Sequence, residues 1–233
     1  MDRFTVQSAD GIELEAVAHR STAGTSRGAV LLAHGITVDL DEGGGMFVRL
    51  AEQLVAAGFD VLRFSFRGHG NSAGTPRGVT VAGECLDLQA AVEEIRMQFP
   101  GPLSIVAASF GAVATAISLP WLADSLHRLV LWNPVLDLNH TFLEPELDWG
   151  KENFSADQQK RLETNGYLVV DGIFELGRVL FYEFARYRPL DHFANSKVRA
   201  LIVHGDRDSA VSYEIAAEAA RLRPDTDLHT VVG

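Results

Sequence analysis

The chain has 233 residues, 47% hydrophobic and 22% charged, enough apolar material for one large core, which excludes a disordered chain or a small disulfide-stapled scaffold. With 31 acidic against 20 basic side chains, a formal charge of −11 and no basic patch, it is not built to meet a nucleic acid or an anionic membrane. Met1-Asp2-Arg3-Phe4 lacks a basic segment followed by an apolar one, and Cys85, the single cysteine, can form neither an intrachain disulfide nor a cysteine metal cluster, so the expected compartment is the cytoplasm.

Phe4 to Gln7 and Ile12 to Ala18 read as an antiparallel pair turning at Asp10-Gly11, a strong hairpin dipeptide. Ala29 to Ala33 is a continuous apolar run, as a strand buried on both faces requires. Phe47, Leu50, Leu54 and Val55 have helical spacing and stop at Gly58. A strand follows over Asp60 to Phe66, then a helix over Val81 to Ile95, a strand over Leu103 to Ala108, a helix over Gly111 to Ser118 and a strand over Leu126 to Trp132. After residue 190 the alternation resumes with a strand at Val198 to Val203, a helix around Ile215 to Leu222 and a last strand at Leu228 to Val232. Strands alternating with helices predict an α/β fold whose mainly parallel sheet is covered on both faces. Met97 to Ala123 has no charged residue, but its prolines, glycines and hydroxyls fit a buried strand and helix better than a membrane span.

Pro134 to Leu190 breaks the rhythm. It reads as mostly helical and holds nine aromatic side chains, from Phe142 to Tyr187. It is expected to be a cap, either packing only its own core or lining an apolar acyl or aryl pocket with its inner face. The predicted organisation is therefore a core of residues 1–133 and 191–233, interrupted by a helical cap at 134–190.

Three strand ends carry candidate chemistry. In Val106-Ala107-Ala108-Ser109-Phe110-Gly111-Ala112 a serine stands between a buried strand and a helix, with small residues two before and two after. That is the need of a nucleophile elbow, although Ala107 takes the place of the usual first glycine. The plainer role for Ser109 is a helix cap. In Leu32-Ala33-His34-Gly35-Ile36-Thr37 the loop after His-Gly offers the N–H of Ile36, and the elbow offers that of Phe110, as the two donors an oxyanion needs. Nearby Asp39, Asp41 and Glu42 lack calcium-loop spacing and read as a solvated loop. In His204-Gly205-Asp206-Arg207-Asp208 an acid at a strand end would face the same crevice as Ser109 and orient a histidine; Asp137 and Asp206 are the other candidate acids.

With these sites in this order, together with Phe64-Ser65-Phe66-Arg67-Gly68-His69-Gly70-Asn71-Ser72, the chain resembles the α/β-hydrolase superfamily, most closely the bacterial carboxylesterases that include cinnamoyl and feruloyl esterases. The resemblance runs over nearly the whole chain. It implies an α/β-hydrolase fold, a triad acid three residues after the glycine of the last His-Gly, which selects Asp208, and a structural turn for His69. It also implies a serine hydrolase of small-molecule esters or thioesters with an apolar or aryl acyl group, with no metal or organic cofactor.

The family's triad histidine follows the last strand, and here Leu228-His229-Thr230-Val231-Val232-Gly233 reaches only that point. His229 is expected inside the strand. The expected base is a histidine beyond Gly233, and a missing final helix should leave apolar sheet surface uncovered. The alternatives are an acyltransferase or thioesterase that releases acyl groups from a carrier, since Ala107-Ala108-Ser109 is similar to the elbow of the bacterial bioluminescence acyltransferases, and a pseudo-hydrolase that binds ligand without chemistry.

Overall fold

A computed structural model describes residues 1–23 and 25–233. Ten strands are described: β1 Asp2–Gln7, β2 Glu13–His19, β3 Ala29–Ala33, β4 Asp60–Phe64, β5 Leu103–Ala108, β6 Leu126–Trp132, β7 Tyr167–Val170, β8 Phe174–Gly177, β9 Ala200–Gly205 and β10 Thr226–Val231. Eight form one sheet in the order β1-β2-β4-β3-β5-β6-β9-β10. The β1–β2 and β2–β4 pairs are antiparallel and every other pair in it is parallel. The chain leaves β3 for β4 on one side and then crosses to β5 on the other, so loops from β3 and β5 diverge at the carboxyl ends, where open α/β sheets form their crevice.

Register sets which residues meet there. Ala33 pairs with Ala107, Ala107 with Leu131, Leu131 with Ile202 and Ile202 with Leu228, one row across five strands. Ser109, Asn133 and His204 each lie two residues past this row. β4 ends at Phe64, earlier than its apolar run predicts. The Phe66 N–H leaves the ladder and donates to His34 Nε2 at 2.9 Å.

The helices α1 Met46–Ala56, α2 Val81–Gln98, α3 Gly111–Leu122 and α8 Tyr213–Leu222 flank the sheet. α3 runs past Ser118 and through Pro120, which forgoes only its own N–H bond. None of these is long and apolar enough to cross a membrane. On one face Phe47 and Ala51 of α1 pack on Val30, Leu32, Val61, Val106 and Ala108, with Val130 and Trp132 at the margin. Register places Leu201 and Val203 beside Val130 and Trp132. These four side chains are only half-buried, and Val231 beyond them is exposed.

Between β6 and β9 lie a short wide helical turn at Asn139–Leu143, α4 Asp148–Asn153, α5 Ala156–Asn165, the β7–β8 hairpin, α6 Arg178–Glu183 and α7 Pro189–Asn195. The 134–190 segment, read from sequence as mostly helical, also contains that hairpin. Its signal is Asp171-Gly172, with both residues at positive φ (53° and 71°), flanked by β-branched and aromatic residues. The hairpin docks on the Pro76–Gly78 turn so closely that a Cβ on Gly177 would lie 2.0 Å from the Arg77 carbonyl oxygen. Arg77 also pairs with Glu175 at 2.7 Å, and the Glu183 carboxylate accepts the Val81 N–H at the start of α2.

The Arg67 turn ties the β1–β2 hairpin to α2. Its guanidinium reaches Asp10, Ser8 and Asp87, and Asp87 is fully buried. The exposed Asp10 partner adds little, whereas Asp87 without Arg67 would be an uncompensated interior charge. Arg67→Ala is therefore expected to lower unfolding free energy by about 3–5 kcal/mol. Pairing Arg67→Met with Asp87→Leu should recover most of it. Urea unfolding of the three proteins checks both.

Candidate active site

Ser109 adopts φ of +48°, a left-handed conformation that a non-glycine residue keeps only where its surroundings enforce it. The enforcement is visible on both sides. The Ser109 N–H donates to the Trp132 carbonyl at 2.9 Å, and its carbonyl accepts from Val135 at 3.0 Å. Two residues on, a Cβ at Gly111 would stand 2.4 and 2.5 Å from the carbonyl oxygens of His34 and Ala33, so only glycine lets α3 start against the end of β3. Ala107 is buried in mid-sheet, where its methyl is accommodated and the first glycine of the usual elbow is not required.

Ser109 opens into a cavity of 160 Å³ lined also by Ile36, Thr37, Val135, Thr141, Phe142, Trp149, Asp171, Ala210 and Val211. Loops after β3, β5, β6 and β9 and the inserted segment all contribute. Phe110, buried beneath, packs edge-on against Phe142 and Phe184 of the insertion. Among the described residues no acceptor takes the N–H of Ile36 or of Phe110, the two groups read from sequence as oxyanion donors.

Asp208 stands on the loop after β9. Its Oδ1 accepts the N–H groups of Ala210 and Val211 at 2.8 and 2.9 Å, which fixes two residues of the cavity wall. Its Oδ2 is 3.6 Å from His204 Nε2, beyond a hydrogen bond. Asp206 instead receives the Gly233 N–H at 3.0 Å, and Asp137 receives the His140 N–H at 3.0 Å inside the insertion. Of the three candidate acids, Asp208 is the one whose carboxylate accepts from residues of the Ser109 cavity.

Among the described residues no histidine lines that cavity. His34 is buried with both nitrogens used: Nε2 accepts from the Phe66 N–H, so Nδ1 carries the proton and donates to the Gly35 carbonyl at 2.7 Å. Burial and nearby His69 push its pKa down to about 3. His69 donates Nδ1–H to the Arg67 carbonyl and stacks on Phe174 of β8, and burial pushes its pKa down to about 4. His204 is buried beside Val211, and His229 is exposed on β10.

The acidic loop departs from expectation. It is not simply solvated: Asp41 pairs with the buried Arg63, and Glu42 turns inward, its Oε2 accepting the Gly35 N–H at 2.8 Å and its Oε1 the Gly43 N–H at 3.0 Å. Burial raises its pKa, against the lowering effect of those two N–H groups. Sequence spacing alone gives no sign of this contact, which spans seven residues through a left-handed backbone at Glu42 itself.

A family model described as serine aminopeptidase, S33, matches residues 24–165, more than half of the chain. The chain belongs to this family of α/β hydrolases. Among solved structures, Est1E from Butyrivibrio proteoclasticus with ferulic acid bound is 23% identical at a TM-score of 0.81, covering 99% of this chain and 89% of its own. Esterase Pf2001 from Pyrococcus furiosus is 21% identical at a TM-score of 0.73, with coverage of 100% and 82%. A putative hydrolase from Agrobacterium vitis S4 is 20% identical at 0.78, with coverage of 99% and 88%. No curated protein matches the chain.

In this α/β hydrolase the buried neutral histidines make acid costly. An unfolded histidine binds a proton near pH 6.5, whereas folded His69 resists until about pH 4, so its contribution to stability is intact above 6.5 and is lost progressively as pH falls. His69→Gln removes that titration and leaves the opposing buried carboxyls in place. The loss of unfolding free energy between pH 6.5 and 4 is expected to be larger for the natural protein than for the variant, by on the order of 2–3 kcal/mol. Denaturant unfolding at the two pH values measures the difference.

Proposed function

We propose that the protein hydrolyses carboxylic esters or thioesters through an acyl-enzyme on Ser109. The observation that carries this reading is the strained backbone of Ser109 at the floor of a cavity, beside two N–H groups that have no acceptor of their own. Ser109 Oγ attacks the acyl carbonyl, its proton passes to a histidine base, and the oxyanion is held by the N–H groups of Ile36 and Phe110. The imidazolium then protonates the leaving alcohol or thiol, and water, activated by the same base, releases the acid. Asp208 orients that base through Oδ2, the oxygen its loop leaves unused.

The eight histidines within residues 1–233 do not supply the base. The Gly233 N–H meets Asp206, two residues before Asp208 on the loop after β9. Ile36, Val135, Phe142, Trp149 and Val211 suit a short aliphatic or single-ring acyl group. The ferulic acid bound to the neighbour Est1E supports an aryl acid in particular. The insertion acts as a cap in this reading, and no metal or organic cofactor takes part.

A fluorophosphonate probe should label the full-length gene product at Ser109, located by peptide mass, and Ser109→Ala should abolish both labelling and p-nitrophenyl butyrate hydrolysis. Asp208→Asn should leave the fold intact and lower kcat roughly 10³- to 10⁴-fold. Absence of an adduct at Ser109 in folded full-length protein overturns the reading; ligand binding retained in that case identifies a binder without turnover. Comparing butyryl ester with butyryl thioester tests the acyl-carrier alternative, which a clear thioester preference would favour.

A further inference from the structure

We propose that Glu42 is a positioning residue for the oxyanion site, its carboxylate clamping the Gly35 N–H so that the next N–H, that of Ile36, is aimed into the cavity beside Ser109. The inference rests on the Ser109 reading above and names what holds one of its two oxyanion donors in place.

Two successive peptide groups are fixed here by different side chains. The 34–35 peptide gives its N–H to Glu42 Oε2 at 2.8 Å. The 35–36 peptide gives its carbonyl, on Gly35, to His34 Nδ1–H at 2.7 Å. In a trans peptide the C=O and N–H point in opposite directions, so anchoring the Gly35 carbonyl on His34 turns the Ile36 N–H away from the imidazole. Ile36 and Ser109 both face the cavity. Neither clamp suffices alone, because the peptide could still swing about the Gly35 Cα, and glycine offers no side chain to resist that rotation.

Glu42 is placed for this by strain and proximity. Its own φ is +57°, and Thr37 within the same loop has φ of +69°, conformations that persist only when the surroundings determine them. From the point where a Gly35 side chain would begin, Ser109 Cβ is 2.9 Å away, Ser109 Oγ 3.4 Å and Glu42 Oε2 3.6 Å. The carboxylate therefore abuts the nucleophile's turn across the width of one absent side chain. A carboxylate suits the position because both of its contacts, Gly35 and Gly43, are donors. Glutamine has one acceptor oxygen and must turn its NH₂ toward one of those N–H groups.

The test separates oxyanion stabilisation from cavity filling in the full-length protein. An alkyl trifluoromethyl ketone forms a hemiketal oxyanion on Ser109; the matching secondary alcohol fills the same cavity without one. Glu42→Ala is expected to lower kcat for p-nitrophenyl acetate about 10- to 100-fold with KM within about threefold, and to weaken the ketone in proportion to kcat/KM. Affinity for the alcohol should not change. Glu42→Gln should fall between the two and recover part of the ketone affinity, and it serves alone if Glu42→Ala does not fold. Equal weakening of ketone and alcohol, unaltered ketone affinity in the variants, or tighter ketone binding by Glu42→Gln overturns the assignment, the last showing that the negative charge repels the oxyanion more than the clamp aids it. Failure of the natural protein to react with a fluorophosphonate at Ser109 overturns the underlying reading as well, whereas normal labelling with any of those three results confines the failure to Glu42.

Discussion

The start of α3 lies closer to the end of β3 than a side chain allows, and the rest of the site is arranged around that contact. Ala33 and Ala107 pair in register, and two residues later the chain must turn out of the sheet into α3 directly over the carbonyls of Ala33 and His34. Only a glycine at position 111 fits there. With α3 started so close, Ser109 is forced into a left-handed backbone and its hydroxyl is presented above the strand ends, where main-chain amides converge. The same crowding requires glycine at 35 opposite it. One steric fact thus sets the serine, the helix start and the loop that faces them.

Crowded loops need their amides held, and two carboxylates do this in parallel ways. Glu42 accepts two N–H groups in the loop after β3, and Asp208 accepts two in the loop after β9. The difference lies in what is left over. Glu42 uses one oxygen for each N–H, so neither of its oxygens is left without a donor. Asp208 takes both N–H groups on Oδ1 and leaves Oδ2 without a hydrogen-bond donor, the condition for receiving a further N–H. His34 and His204 belong to the same scaffolding: both are buried and donate to backbone carbonyls, which spends their protons on loop geometry.

How much of this a sequence can show depends on the range of the force involved. β3 was legible to the residue, since a strand buried on both faces must be apolar throughout, as Ala29–Ala33 is; β5 and β6 keep mostly apolar runs at Leu103–Ala108 and Leu126–Trp132, although His127 and Arg128 of β6 are exposed. The serine turn and the β9 acid stood out because small residues and acids at strand ends have few other uses. The β7–β8 hairpin was missed although Asp171-Gly172 carries the same turn chemistry as Asp10-Gly11. Its strands have only four residues each, and the surrounding aromatic density reads as helix. Glu42 was illegible for another reason. Its carboxylate acts through a contact created by the loop's own left-handed turns, and acidic residues followed by three glycines look the same whether the acid points inward or out.

The insertion completes the cavity because it is anchored at the same place as the elbow. Phe142 and Phe184 stack on each other at 4.4 Å and both meet the ring of Phe110, the residue next to Ser109. The hairpin rests on the turn before α2 and on the His69 ring, which itself lies against His34. Aromatic packing of this kind is directional as well as apolar, so displacing the insertion would shift rings that back the Phe110 N–H and, through His69 and His34, the Gly35 carbonyl. The cavity wall and the N–H groups proposed as oxyanion donors therefore share one supporting layer, and the size of the cavity is coupled to the geometry of the groups beneath it.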